Sequence, residues 1–508
     1  MRKDINIVLL EKSPIAFVVL KTIVTECINI DKISNEYKRA FRVFNISDIK
    51  MESNLYSLTS QINTENQIRY YTYDRLIRSF VSIMELLQTE FSEIKINIDG
   101  YQFLDSGTEL FFKEMTPKYT DFLKLKITTG STNCESAQKV ILSKQEQEIS
   151  NLLAKNSIDR KKFNFLVDKA DYYINIGDFI TGISILTELE KYDTNPRIYS
   201  LLAIAYTMYN KTVYAKNYLD KWYKYGTLYD KANACYSYSM LYARHAEEKN
   251  FLKAEEYIDK GYSYLMQLKC VDNDQLVRDK LFNRNGYALF LFKQGKIDEA
   301  ISLVENAIDI LRPMKGERSK LQFSVMLYNL GQCYSQIKEY GKSIEIYKEL
   351  IELDPNFPEY RLELAKNYIN IELLDKARNS LLQAYEIDPF FADTCSLLGF
   401  FYYEQGEYIE AEKYYFQALK LDHSLDNIHD YLLVLSAQNK YNQIKEYTEY
   451  KNIDINYLLT EGYELINLIA EMYVNTDNKE LAINLLNRAV IAYENNIEFK
   501  ENLKLLGQ

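Results

Sequence analysis

Between Ser324 and His423 one pattern recurs three times at an unbroken spacing of 34 residues. Leu330-Gly331, Tyr334, Tyr340, Ser343, Tyr347 and Pro355 are followed at that offset by Leu364-Ala365, Tyr368, Leu374, Ala377, Leu381 and Pro389. The third copy reads Leu398-Gly399, Tyr402, Tyr408, Ala411, Tyr415 and His423. Within each copy large apolar residues return every three or four positions, as on two amphipathic helices. Small residues (Gly331, Ala365, Ala377, Gly399, Ala411) fall where the two helices would cross and a larger side chain would not fit. Asp354-Pro355 and Asp388-Pro389 end the second helix, because proline disfavours helical geometry in the residue before it. A coiled coil would not break at every half-repeat.

This pattern resembles the tetratricopeptide repeat family, a helix-turn-helix of this period. Weaker copies flank the centre. Ala170, Tyr173, Gly177, Phe179 and Leu186 fit a first unit, and Leu202-Ala203, Tyr206, Ala215, Leu219 and Trp222 a second. Leu241, Phe251, Ala254 and Ile258 mark a third; Tyr287-Ala288, Leu291, Gly295, Ala300, Val304 and Ala307 a fourth. After the three strong copies, Leu432, Leu435 and Tyr441 begin an eighth unit, and Ile469-Ala470, Tyr473, Ala482, Leu486 and Ala489 a ninth. The spacing stretches at residues 269–280 and 313–316, and such insertions are expected at turns outside the stacked core. The fold class expected is mainly α: a right-handed solenoid of about nine helix-turn-helix units behind a small mixed α/β N-terminal domain. The expected divisions are an N-terminal domain over 1–130, a linker or helix over 131–162, the array over 163–496 and a cap or tail over 497–508. The cap is needed because the last apolar face of an array otherwise meets water.

With 61 basic against 72 acidic residues the chain carries a net charge of −11, so no global field draws it to nucleic acid or anionic lipid. Its six cysteines (Cys27, Cys134, Cys235, Cys270, Cys333, Cys395) lie far apart without a C-x-x-C pair and read as reduced thiols of a cytoplasmic protein. The apolar run from Ile5 to Leu10 is too short for a signal-peptide core, and no stretch approaches the ~20 apolar residues of a membrane span.

The first 160 residues have a mixed pattern. Ile5–Leu10 reads as a strand, Pro14–Ile28 as a helix with Pro14 in its first turn, and Tyr73–Phe91 as an amphipathic helix. Ile94–Ile98, a helix from Thr108 to Met115 and Leu123–Thr128 make a strand-helix-strand unit. Asp99 at the end of the first strand of that unit, with Ile127-Thr128-Thr129-Gly130-Ser131 ending the second, resembles the second half of a P-loop ATPase core, in which a strand-end acid holds Mg²⁺. The phosphate cradle is missing, since this region holds only Gly100, Gly107 and Gly130 and no G-x-x-x-x-G-K-[ST]. A degenerate ATPase remnant and a plain small α/β or α+β domain both remain open.

In the family, ligand-facing residues come from the first helix of each unit. Carried over, those offsets fall on Asn285, Tyr328, Gln332, Ser335, Leu362, Lys366, Ile369, Ser396, Phe400 and Tyr403, a polar and aromatic wall suited to an extended peptide. The carboxylate clamp of the chaperone-binding members is absent, because consecutive units offer Tyr328 and Gln332, then Leu362 and Lys366, then Ser396 and Phe400. His423 and His429, with Asp422, Asp426 and Asp430, lie at the turn between units seven and eight, where polar residues collect; no metal and no cofactor are expected. No catalytic motif stands out. The resemblance implies a non-enzymatic scaffold or adaptor that binds a partner protein or peptide in a concave groove. The alternative is a ligand- or peptide-sensing regulator whose N-terminal domain is the output.

Overall fold

The structure, a computed structural model, describes residues 1–46, 55–62, 67–69, 72–129, 140, 142–155, 157–268, 273–450 and 454–507. Gly130, Ser131, Cys134 and Cys270, and most of the stretch 130–141, lie outside the described residues. The chain divides into two compact units, Met1–Leu373 and Leu374–Gln508.

Unit 1 opens with β1 (Arg2–Val8), then α1 (Val18–Cys27), α2 (Asn35–Phe41), α3 (Leu58–Gln61) and α4 (Tyr73–Glu90). β2 (Glu93–Asp99), α5 (Ser106–Met115) and β3 (Leu123–Thr128) follow. The three strands form a parallel sheet in the order β1-β2-β3. Alternation sets its register: Ile5 and Ile7 face Ile96 and Ile98 on the buried side, and Asn97 donates to Asn6 (2.8 Å). Phe17, Phe44, Phe80 and Phe111 meet edge-on or stacked behind the sheet, with ring centroids 5.2–6.1 Å apart. The strand-helix-strand unit thus forms at nearly its expected bounds. The helix expected from Pro14 begins only at Val18, because Phe17 takes a left-handed conformation (φ 62°) and turns the chain into α1.

The rest of unit 1 is helical. α6 (Lys144–Leu153) precedes the pairs α7 (Arg160–Ile176) and α8 (Phe179–Leu189), and α9 (Pro196–Met208) and α10 (Thr212–Tyr225). Next come α11 (Leu228–Arg244) and α12 (Phe251–Gln267), α13 (Asn273–Lys293) and α14 (Ile297–Leu311), and α15 (Glu317–Gln336) and α16 (Tyr340–Leu353). α17 (Pro358–Asn370) is the last helix of the unit. The insertion at 313–316 lies in the largely exposed turn between α14 and α15, as expected, whereas residues 273–280 continue a helix, so that α13 reaches 21 residues. α15 is also long, at 20 residues against 13 in α17, and its first turns bury Leu321 and Gln322 completely.

Unit 2 contains α18 (Leu374–Ile387), α19 (Ala392–Glu404), α20 (Tyr408–Leu421), α21 (Leu425–Ala437) and α22 (Tyr441–Tyr450). An unexpected short helix, α23 (Ile455–Glu461), precedes the pair α24 (Tyr463–Asn475) and α25 (Lys479–Ala492), and α26 (Ile497–Leu505) closes the unit. α26 sets Phe499 and Leu503 into the core that Ile466, Ile469, Leu486 and Ala489 build on the last pair.

The turns between paired helices share one chemistry. Asn210, Gly295, Lys338, Glu372, Gly406, Asn439 and Asp477 all have positive φ. After each, the next backbone N–H returns to a carbonyl five residues back, as in Lys211→Tyr206, Glu339→Tyr334, Leu373→Tyr368 and Glu407→Tyr402, each 2.9 Å. This left-handed stop satisfies carbonyls that the end of a helix leaves open.

Candidate functional site

Each repeat is locked where its two helices cross. A Cβ added at Gly399 would lie 2.5 Å from the Tyr415 ring, and one at Gly331 would lie 2.9 Å from Tyr347. This close approach fixes the pitch of the first helix, and so which of its side chains face out. At the offset shared by Gln332, Lys366 and Phe400 the side chain reaches solvent in all three copies: Gln332 is exposed, Lys366 is half-exposed beside Glu363 (2.7 Å), and Phe400 is 43% exposed. The offset three residues on (Ser335, Ile369, Tyr403) is half-buried throughout, with Tyr403 against the Tyr408 ring at 5.4 Å.

The remaining offset is less uniform. Tyr328 is half-buried, Leu362 is only 2% exposed, and Ser396 donates to Asp430 on α21 (3.3 Å). Leu362 serves packing, as its apolar character suits. Asn285 on α13 is also buried and accepts from Asn329 on α15 (3.0 Å), which ties two consecutive first helices together. Asn329 lies off the family offsets, whereas Asp430 stands 34 residues beyond Ser396 on the same offset; that each bonds to a neighbour on another repeat is not visible in one sequence.

Around Tyr328 the surface is aromatic and acidic. Its ring lies 5.9 Å from Tyr360 and 6.0 Å from Tyr347, and burial together with Glu363 and Glu359 pushes its phenol pKa up. Phe357 packs on Tyr360 at 4.8 Å. Onto these rings comes a segment from the N-terminal part of unit 1. The Arg69 guanidinium lies 4.6 Å from the Phe357 centroid and 5.7 Å from that of Tyr360, and its Nη1 donates to the Tyr360 hydroxyl (2.9 Å). Arg75 pairs with Glu359 (3.0 Å) and lies 5.8 Å from Phe357. Arg39 donates to Asn356 (3.4 Å), and Asn356 donates to the Tyr56 carbonyl (3.3 Å). The same segment touches the first repeats, through Gln67 on Asn175 (3.0 Å) and Tyr73 beside Tyr209 (6.0 Å). Neither Arg69 nor Arg75 was picked out from the sequence, because their partners lie about 300 residues away.

The strand-end acid also has a place. Asp99 is buried and accepts from Thr128 (3.0 Å). The chain between β1 and α1 holds no glycine, and its amides are already bound: Phe17 N–H and Val19 N–H donate to the Asp105 carboxylate (2.6 and 3.2 Å), Leu20 N–H to Thr108 (3.0 Å) and Ala16 N–H to Thr181 (2.9 Å). An anion at the start of α1, where a phosphate would sit in a P-loop protein, would have to displace a buried carboxylate. His429 contacts Asp430 (3.3 Å) while His423 is exposed, and among the described residues no group of three His, Cys, Asp or Glu side chains is placed to hold a metal ion. Cys27, Cys235 and Cys333 are free thiols. Among the described residues no helix is long and apolar enough to cross a membrane.

Family models described as tetratricopeptide repeat match residues 281–356, 358–391 and 391–421. Small glutamine-rich tetratricopeptide repeat-containing protein 2 of Mycosarcoma maydis is 38% identical over 87 residues, 17% of this chain and 25% of that protein. Cilia- and flagella-associated protein 70 of Homo sapiens is 27% identical over 188 residues, 37% of this chain and 15% of that one. The chain therefore spans a quarter or less of the length of these relatives. Among solved structures, a tetratricopeptide repeat protein from Parabacteroides merdae aligns with 56% of this chain and 100% of its own (17% identity, TM-score 0.34). PilF of Pseudomonas aeruginosa aligns with 46% and 94% (21% identity, TM-score 0.33). With helix pairs closed by a small residue at each strong crossing, and family models matching from residue 281 to residue 421, the chain carries tetratricopeptide repeats over that stretch.

Proposed function

We propose that the protein is a non-enzymatic scaffold or adaptor of the cytoplasm that docks a partner protein or peptide on the first-helix faces of its repeats. The observation that carries this reading is the offset of Gln332, Lys366 and Phe400, which stays open to solvent in three successive copies while its neighbours at Leu330, Leu364 and Leu398 are buried. In unit 1 a polar amide and a cation on consecutive first helices can hydrogen-bond an extended chain, and in unit 2 an exposed aromatic ring can pack one. Ser335 and Ile369 border the face in unit 1, which Tyr328 joins through the rings of Tyr360 and Tyr347, and Ser396 and Tyr403 border Phe400 in unit 2. The free thiols suit a reducing compartment.

A second reading, a regulator whose N-terminal domain carries the output, is favoured by one observation: Arg69 and Arg75 join that domain to Tyr360 and Glu359.

The test is affinity capture on the full chain, beside Gln332→Ala with Lys366→Ala, and separately Phe400→Ala, all checked for native helicity. A bound protein or peptide that drops about tenfold with either variant is the expected outcome. Capture unchanged by both variants, or no capture by the native chain, would sink the scaffold reading.

A further inference from the structure

We propose that the face built by Tyr328, Phe357, Glu359 and Tyr360 is an arginine-binding site, held in cis by Arg69 and Arg75, and that a partner docks there by presenting arginines that displace them. The proposal rests on the scaffold reading above and names the partner chemistry of one part of that surface.

Phe357 and Tyr360 present two ring faces to the Arg69 guanidinium, and the Tyr360 hydroxyl accepts from its Nη1 (2.9 Å). A planar cation with in-plane donors fits this combination of ring face and acceptor, whereas an ammonium would satisfy only the charge. Glu359 supplies the second cation site through Arg75 (3.0 Å), and both side chains keep partial solvent access, at 25% and 17%. Glu363 adds negative charge close by, its carboxylate acting with Glu359 on the Tyr328 phenol.

The Arg75–Glu359 pair is charge-assisted and partly wet, so exchanging its arginine for another costs little beyond releasing the segment that carries it, while Tyr360 is fully buried with Arg69 in place. The occupying segment is itself fastened on both sides. Gln67 is tied to Asn175 and Tyr73 packs beside Tyr209, so Arg69 follows a contact to the first repeat and Arg75 stands on the first turn of α4, both reaching α17. Because Tyr328 packs on Tyr360, these arginines meet the same first-helix surface that Gln332 and Lys366 continue. A cis ligand raises the apparent Kd of any partner competing for its site by the inverse of the fraction of molecules in which the site is open.

The probe is a fluorescein-labelled peptide with the sequence of residues 67–78, added to the full chain and read by anisotropy. The Arg69→Ala, Arg75→Ala chain should bind it at least tenfold more tightly than the native chain. Adding Glu359→Gln and Tyr360→Phe should abolish that gain, and a peptide with lysine in place of Arg69 and Arg75 should bind at least fivefold more weakly. Equal affinity for the native and doubly substituted chains, binding to neither, or a gain that survives loss of Glu359 and the Tyr360 hydroxyl would overturn the proposal.

Should the arginine variant unfold, Glu359→Gln with Tyr360→Phe in the otherwise native chain gives the answer by hydrogen exchange. Amides from Arg75 to Arg78 should then exchange about tenfold faster while those around Leu87 do not change; unchanged exchange at Arg75–Arg78 removes the cis lock. If the peptide fails while partner capture remains sensitive to Gln332→Ala and Lys366→Ala, only this inference falls and the scaffold reading stands.

Discussion

At the scale of single residues the repeats are paired by volume across the helix crossing. Gly331 faces Tyr347 and Gly399 faces Tyr415, while the intervening copy has Ala365 and Leu381, a larger residue on one side with a smaller one on the other. The Tyr415 ring leaves no space for a methyl group, since a Cβ at position 399 would sit 2.5 Å from it. Gly399→Ala should therefore destabilise unit 2 by about 1–3 kcal/mol through overpacking. Tyr415→Leu in the same chain, which copies the Ala365–Leu381 pairing, should recover about half or more of that loss. A thermal or urea double-mutant cycle reads the coupling, expected at about 0.5–3 kcal/mol; strict additivity would mean that the crossing is not what constrains these two positions.

At the scale of elements the turns decide where each helix ends. Among the described residues eight turns between paired helices carry a residue of positive φ, and only Gly177, Gly295 and Gly406 among them are glycine. Asn210, Asn439 and Asp477 tolerate that conformation through their short polar side chains, whereas Lys338 and Glu372 do not. Lys338→Gly should raise stability by about 0.5–1 kcal/mol, the relief of Cβ strain exceeding the entropy that glycine gives up. Gly406→Ala should lower it by about 1 kcal/mol, although nothing stands within 4 Å of an added Cβ. Paired melting curves of these two variants separate backbone strain from packing. The turn glycines at 177 and 295 were legible in the sequence. The matching role of Lys338 and Glu372 was not, because a charged residue gives no local sign of positive φ; only the 34-residue offset to Gly406 places them there. The same limit explains α13, whose insertion breaks the spacing without showing that the added residues continue a helix.

At the scale of the molecule, the N-terminal sheet region joins the first repeat within unit 1 through a buried polar knot. Asp178 caps α8 and accepts from Thr181 N–H and Oγ (2.9 and 2.6 Å), Thr181 accepts from Ala16 N–H, and Asp105 binds the start of α1. Burial pushes the Asp178 carboxyl up to about 7, against the Thr181 hydrogen bonds, with Lys21 lowering it and Asp105 raising it further. A raised folded-state pKa means that the protonated form is the one favoured by folding. Its contribution is whole below the ordinary carboxylate range near 3.8 and is lost as pH climbs through about 7. Asp178→Asn keeps a cap and cannot ionise, so the Tm of the variant minus that of the native chain should rise between pH 5 and pH 8. A difference that is flat with pH would show that Asp178 titrates as an ordinary surface carboxylate.

The sequence by itself determined the repeats, their period, the small residues at the crossings, the proline stops after Asp354 and Asp388, and the strand-helix-strand unit from Ile94 to Thr128. These rest on period and local sterics, which one stretch of chain carries in full. Only the tertiary structure decided that Leu362 and Asn285 are buried while Gln332 and Phe400 reach solvent, that the start of α1 is closed by Asp105, and that Arg69 and Arg75 lie on Phe357, Glu359 and Tyr360. Those are pairings between residues from 86 to 291 positions apart or the outcome of how deep a helix sinks into its neighbours. Neither leaves a mark in the local pattern, because the free energy that selects them comes from surfaces that exist only once the helices have packed.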